Sequence, residues 1–334
     1  MLQIDVKHSL IDTETIIQLS GADDRAEGVQ CDLLSRGKND TYFIMNQNGE
    51  KYVFRLYRAG YRHKNAILFE MDALNHLHEQ GFRASYPIKK SNGDYLTEVI
   101  APEGLRYGVL FTYSEGERPE INVENSEVIG KTLGRMHALT SGFSSSHKRG
   151  FELDTNRLLD EPEAVISPIV EKYLGSQAMT ILQTVVENTK ADLAEYNLET
   201  GLCHGNFYSH NMHVYNGEID VFDFDDCAIG YRAYDIAVSW WDLKNNYKNL
   251  EQECWEAFLK GYLSERNLSE DDIRSLPLFI TARRIWLMGM MITHDDVWGT
   301  NWINKRIMAL FIGQLRTDRL GDEDLRELDE HEPK

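Results

Sequence analysis

Two runs rich in β-branched and aromatic residues, 41–45 (Thr-Tyr-Phe-Ile-Met) and 51–57 (Lys-Tyr-Val-Phe-Arg-Leu-Tyr), are separated by a short polar segment that contains Asn46, Gln47, Asn48 and Gly49. So short a connection forces the two runs to pair antiparallel, and Asn48-Gly49 predicts the positive-φ turn that closes a hairpin. A second pair of strand-like runs, 94–100 and 107–113, is joined by a loop holding Pro102 and Gly104. Between the pairs, Ile67, Leu68, Met71, Leu74 and Leu77 recur at three- and four-residue spacing, which predicts a helix ending near Gly81. A short helix is expected after Asp12. The front of the chain therefore reads as a small antiparallel sheet with one helix against it.

From about Gly116 the apolar period becomes helical. The stretch 126–142 has Ser126 as its expected cap and Gly142 as its stop, and 167–197 holds one or two more helices. Helical patterns resume at 234–246 and at 278–298. The segment 202–226 interrupts them with loop, a short strand pair turned at Asn216-Gly217, and then carboxylates. The fold class is α+β, with a strand-rich lobe over 1–113, a helical lobe over 114–320 and an acidic tail over 321–334.

A chain of 334 residues suits two packed lobes better than one small core. Cys31, Cys203, Cys227 and Cys254 are scattered, which argues against a disulfide framework or structural zinc and for a reducing compartment. The N-terminus shows no basic-then-apolar signal, and no apolar run approaches the ~20 residues of a membrane span. The expected location is cytoplasmic, with no membrane partner. A net charge of −19 speaks against nucleic acid, since phosphate backbones call for a basic face. It keeps the protein soluble and is compatible with a cationic substrate.

The polar residues of 202–226 gather the parts that phosphoryl transfer needs: oxygen ligands for magnesium and a group to orient the acceptor hydroxyl. Asn211 and Asp223 suit magnesium, and Asp225, two residues on along an extended chain, is placed to reach the same ion or a second one. His210 and His213 have the spacing of a metal pair but lack a matching third ligand, so zinc is not expected.

The segments His204–Asn211 (H-G-N-F-Y-S-H-N) and 222–226 (F-D-F-D-D) resemble the H-G-D-x-x-x-x-N and I-D-F-D/E signatures of the aminoglycoside phosphotransferase and choline kinase superfamily. Further matches follow in order: Arg55 in V-F-R-L-Y, Glu70 in I-L-F-E-M, the run 109–117, and Asp235 in G-Y-R-A-Y-D. The resemblance implies a protein-kinase-like two-lobed fold that uses Mg²⁺ and ATP or GTP to phosphorylate a small molecule. It implies that Arg55, held by Glu70, contacts the α- and β-phosphates, and that Tyr113 and Ser114 belong to the hinge that grips the base. The loop 35–42 would cover the phosphates, although Gly37 is its one glycine. Asn211 and Asp223 would bind magnesium with Asp225 secondary, His204 would order the loop, and Asp235 would buttress it. The short passage from Asp226 to Tyr231 leaves no room for a protein kinase's activation segment.

Two departures stand out. Arg55 replaces the family's lysine, exchanging a point charge for a planar fork. Asn206 occupies the position of the catalytic aspartate, and an amide accepts no proton at neutral pH. The chain is then an inactivated variant of a small-molecule kinase, a nucleotide-binding pseudokinase with a regulatory role, or a kinase whose proton acceptor is His210 or Tyr208. The expected acceptor is a small cationic hydroxyl compound, aminoglycoside-like or an amino alcohol. Arg283 and Arg284 are read as solvated or ion-paired cations, with an anionic substrate as the other reading. The carboxylates of 247–258 and 268–273 are read as surface charge.

Overall fold

The computed structural model describes residues 5–22 and 28–319. The tail expected over 321–334 lies outside them. In chain order the elements are α1 (Thr13–Ser20), β1 (Gln30–Arg36), β2 (Asn39–Met45), β3 (Lys51–Tyr57), α2 (Lys64–Glu79), β4 (Leu96–Ala101), β5 (Gly104–Thr112) and α3 (Val123–Leu139). They continue as α4 (Glu161–Leu174), α5 (Ser176–Ala194), β6 (Thr200–Cys203), β7 (Met212–Tyr215), β8 (Glu218–Val221) and β9 (Ala228–Tyr231). Five helices follow: α6 (Arg232–Asn246), α7 (Glu251–Glu265), α8 (Glu270–Thr293), α9 (Asp295–Trp298) and α10 (Lys305–Arg319).

The first unit comprises 1–120, 142–150 and 210–226. Its five-stranded antiparallel sheet has the order β1-β2-β3-β5-β4. Strand alternation sorts the two faces. Tyr42, Ile44, Phe54, Leu56 and Leu110 form a core cluster with Ile16 of α1, while Arg55, paired across strands with Thr41 and Val109, falls on the opposite face. Helix α2 forms where the spacing predicts it, burying Ile67, Met71, Leu74 and Leu77, and Gly81 follows it at φ 69°. The first hairpin closes differently from the expectation. Gly49 alone takes positive φ, and the Asn46 side chain accepts from the Asn48 and Glu50 amides, so the turn is a longer loop with one left-handed residue. At β7–β8 both Asn216 (φ 53°) and Gly217 (φ 78°) are left-handed, the turn expected there. That hairpin belongs to the sheet unit, through bridges from Val221 to Ala84 and from Val214 to Glu117. The unit boundary consequently differs from a single cut at 113/114, because two later segments return to the first unit.

The second unit comprises 121–141, 151–209 and 227–334. Helix α3 is capped by Asn122, whose side chain accepts from the Asn125 amide, and not by Ser126, which is buried inside the helix. Asn122 has the better claim because it precedes the apolar stripe by a full turn. The stretch 167–197 resolves into α4 and α5, divided at Gly175 (φ 89°). Helix α8 is long and apolar enough to cross a membrane by length and composition, contrary to the expectation that no run approaches that length. It is a core helix of this unit, burying Leu276, Phe279, Ile280, Ile285 and Trp286.

Helices α3 and α7 approach closely at glycines. A Cβ on Gly130 would stand 1.9 Å from the Phe258 carbonyl oxygen, and one on Gly261 would stand 2.0 Å from that of Glu127. Alanine ordinarily favours a helix over glycine by about 1 kcal/mol. Here the sign should reverse: Gly130→Ala is expected to lose about 1–3 kcal/mol, because backbone atoms cannot yield. Urea unfolding of the two proteins checks this.

Candidate functional site

The sheet face opposite the α1 core lines a cavity of about 470 Å³, within the size range of small-molecule sites. Thr41, Val53, Arg55 and Phe111 come from the strands, Lys38 from the β1–β2 turn, and Asn211, Asp223 and Asp225 from the segment 210–226. Tyr113 and Ser114, just past β5, complete one wall. All these residues belong to the first unit.

Arg55 is buried and forked between two carboxylates. Nη1 donates to Glu70 Oε1 at 2.6 Å and Nη2 to Asp223 Oδ1 at 3.1 Å. The other Glu70 oxygen accepts from the Tyr57 hydroxyl at 2.8 Å, so the buried carboxylate is held on both sides. The guanidinium lies 5.0 Å from the Phe111 ring centroid. Strand β3 and helix α2 thus bring together the pair that the sequence predicted.

Asp223 has φ 64°, a left-handed conformation that aspartate tolerates better than most residues. The chain then enters a 3₁₀ turn over Phe224–Asp226. This corrects the expectation of an extended backbone: Asp223 and Asp225 are carried into one cavity by a reversal, not by strand alternation. Asn211 is tied to the same place, its carbonyl accepting from the Phe222 amide at 3.0 Å.

Three cations that sequence reasoning did not assign hold this turn. Arg62 Nε donates to Asp225 Oδ1 at 3.2 Å and Arg62 Nη2 to Asp226 Oδ1 at 2.9 Å. Arg149 donates to the Asp225 carbonyl. Lys38 Nζ reaches Asp226 Oδ2 at 2.6 Å. Burial opposes ionisation of Asp226, yet Lys38 and Arg62 outweigh it and hold the carboxyl well below the ordinary range. Asp225 Oδ2 is fully buried and accepts no hydrogen bond, with Lys38 Nζ 3.8 Å away. An orphaned, buried carboxylate oxygen beside Asn211 and Asp223 is a hard donor set that fits magnesium.

His213 Nδ1 donates to the Ser114 carbonyl (2.8 Å) and the ring stacks edge-on with Phe222, so it braces the wall. The described residues gather no metal-binding group around His210 and His213. They do gather His137, Cys203 and Asp235, but these groups are engaged internally. Burial pushes the Cys203 thiol well up, and its hydrogen bonds go to backbone carbonyls.

The remaining predicted residues lie in the second unit. Asp235, in the first turn of α6, is fully buried. Its oxygens accept from the His204 amide at 2.5 Å and the Gly205 amide at 2.7 Å. Burial holds the His137 ring neutral, and because Asp235 only accepts, Nε2 is the protonated nitrogen at 3.3 Å. Nδ1 then accepts from the Tyr262 hydroxyl at 2.9 Å. His204 is buried, its Nδ1 accepting from the Asn206 amide at 3.2 Å.

Asn206 itself is part-exposed, and its Oδ1 accepts from Arg283 Nη2 at 2.6 Å. The two adjacent arginines of α8 differ. Arg284 is ion-paired with Asp318 at 2.9 Å, as expected. Arg283 is buried and has no ion-pair partner among the described residues, and no sequence signal joins it to a residue 77 positions away.

The sequence model of the phosphotransferase enzyme family matches residues 32–274 of this chain. An uncharacterized protein of Deinococcus radiodurans is 32% identical over 279 residues, 82% of this chain and 80% of its own length. The homoserine kinase of Agrobacterium fabrum is 23% identical, over 79% of this chain and 83% of that protein. Among solved structures, an amicoumacin kinase in complex with AMP-PNP and Ca²⁺ aligns with a TM-score of 0.75 at 20% identity, covering 94% of this chain and 95% of that one.

Proposed function

From the premise that this chain belongs to the phosphotransferase enzyme family, the small-molecule kinases of protein-kinase-like fold that act on alcohol groups, we propose that it moves the terminal phosphate of ATP or GTP to a hydroxyl of a small, amine-bearing acceptor. The observation that carries this reading is the cavity in which Arg55, braced from behind by Glu70, faces Asn211, Asp223 and Asp225. Arg55 takes the α- and β-phosphates while Glu70 fixes its fork. Tyr113 and Ser114 border the base. Asn211 and Asp223 hold magnesium, with Asp225 as the further oxygen donor; magnesium, when bound, offsets the charge of the phosphates. Lys38, on the turn between β1 and β2, adds a second cation where the glycine-poor loop was expected to cover them.

His204 and Asp235 fix the backbone that presents Asn206. With its amide oxygen accepting from Arg283, Asn206 is engaged as an acceptor and cannot take a proton from a hydroxyl. That observation supports a second reading, a nucleotide-binding pseudokinase without turnover. Phosphate transfer to a pool of amino alcohols, hydroxy amino acids and aminoglycosides, assayed with Mg²⁺ and ATP or GTP, separates them: labelled product supports the kinase, while nucleotide binding without product supports the regulator.

Asp223 supplies a sharper test of the cavity. Asp223→Ala should weaken Mg²⁺-nucleotide binding by on the order of 10–100-fold, from loss of a charged ligand. Nucleotide without magnesium should bind as well or better, because a like charge leaves the cavity and Arg55 loses a competing carboxylate at 3.1 Å. Calorimetric titration with and without Mg²⁺ measures both; equal losses in the two would remove Asp223 from the metal site.

A further inference from the structure

Arg283 presents a charge that nothing in the described protein neutralises. It is 3% exposed, yet no carboxylate of the described residues lies within ion-pair distance. Its faces are covered by Trp286 at 4.7 Å and Trp241 at 5.5 Å. The Tyr234 hydroxyl lies 3.4 Å from Nη1. The Nε–Nη2 edge is the one that takes both oxygens of a carboxylate side by side. Asn206 gives Nη2 the one oxygen an amide has, and Nε is left buried without a partner. Arg283 thus combines a buried donor without a partner and a charge that no carboxylate of the described residues balances.

We propose that the missing partner is a carboxylate carried by the acceptor, so that the substrate is a hydroxy acid or hydroxy amino acid and Arg283 is the residue that selects it. This inference rests on the kinase reading and names its substrate class. Asn206 is the part-exposed partner and Arg283 lies buried behind it, so a molecule whose hydroxyl reaches Asn206 brings a carboxylate two or three carbons away to the Nε–Nη2 edge by taking the place of the Asn206 oxygen. A single guanidinium balances a monoanion and not a phosphate dianion, and the neighbouring Arg284 is already paired with Asp318. The proposal revises the purely cationic acceptor that net charge suggested: the amine remains compatible, and the carboxylate is added.

The test compares homoserine and 4-hydroxybutanoate with their primary amides, each titrated calorimetrically into the protein with Mg²⁺-ADP present. The wild type should bind each acid on the order of 10–100-fold more tightly than its amide, the size expected for a charge-assisted pair. Arg283→Met should erase that ratio while leaving Mg²⁺-ADP affinity unchanged, which also reports that the variant is folded. Asn206→Asp should erase it too, because the introduced carboxylate fills the same edge. Equal binding of acids and amides to the wild type, or a preference that survives in Arg283→Met, would overturn the inference. Transfer of phosphate to amino alcohols regardless of a carboxylate would overturn it and leave the kinase reading standing. Failure to bind Mg²⁺-nucleotide at all would remove the kinase reading itself.

Discussion

Asn206→Asp is expected to raise kcat, read at saturating acceptor, by on the order of 10²–10⁴, the range associated with a positioned general base, while a carboxylate-bearing acceptor binds more weakly because the new carboxylate competes for Arg283. The position is prepared for a carboxylate. The backbone of Asn206 is held by the His204 ring, and its Oδ1 already lies 2.6 Å from Arg283. A carboxylate there would supply the second oxygen that Arg283 Nε lacks, and a bond to a charged partner contributes about 1.5–3 kcal/mol. The same substitution should therefore stabilise the protein. Its pH dependence has a definite sign. Arg283 would hold the folded pKa of the new carboxyl below its unfolded value of about 3.9, so the added stability is present above that pH and lost as pH falls below it. Initial rates and thermal midpoints at pH 7 and near pH 3 measure both effects. A stabilised protein with no gain in rate would mean that residue 206 is not the base position, whatever the motif suggests.

Much of this site is legible in the amino-acid sequence. Strand alternation puts Arg55 on the face away from Phe54 and Leu56, and the 3.6-residue period of α2 carries Glu70 within reach of it. Both are local patterns, which periodicity records. The residues that escape are those fixed by contacts distant in sequence. Lys38 meets Asp226 across 188 positions and Arg62 meets it across 164, and neither leaves a periodic trace. Asp223 escapes for another reason: its left-handed φ follows from the reversal into a 3₁₀ turn, and a carboxylate at the end of a strand-like run does not announce one. Arg283 combines both obstacles, since on α8 it is one basic residue beside another, and only the fold separates Arg284, paired with Asp318, from a neighbour bonded to an amide with no carboxylate partner among the described residues.

Asp235→Ala should be the most damaging single change to the loop that carries Asn206. The carboxylate is fully buried and gathers three donors: the His204 and Gly205 amides and the His137 ring. Alanine leaves all three in a dry interior, each unsatisfied group costing about 1–3 kcal/mol, so a loss of at least about 3 kcal/mol is expected. Gly205 sits at φ 80°, a conformation open to glycine, and its bond to Asp235 fixes that turn. Asparagine is the informative control. It keeps the shape but replaces one acceptor by an N–H₂ group, so one amide would face a donor and roughly half of the loss should remain. Urea unfolding gives the stability change, and hydrogen exchange at His204 and Gly205 locates it. The distinguishing readout is nucleotide affinity. Asp235 acts on the loop and touches none of the residues lining the Arg55 cavity, so Mg²⁺-ADP should bind the folded variant with unchanged affinity while phosphate transfer collapses. Loss of both together would make Asp235 a general support of the fold and not a positioning residue for the loop.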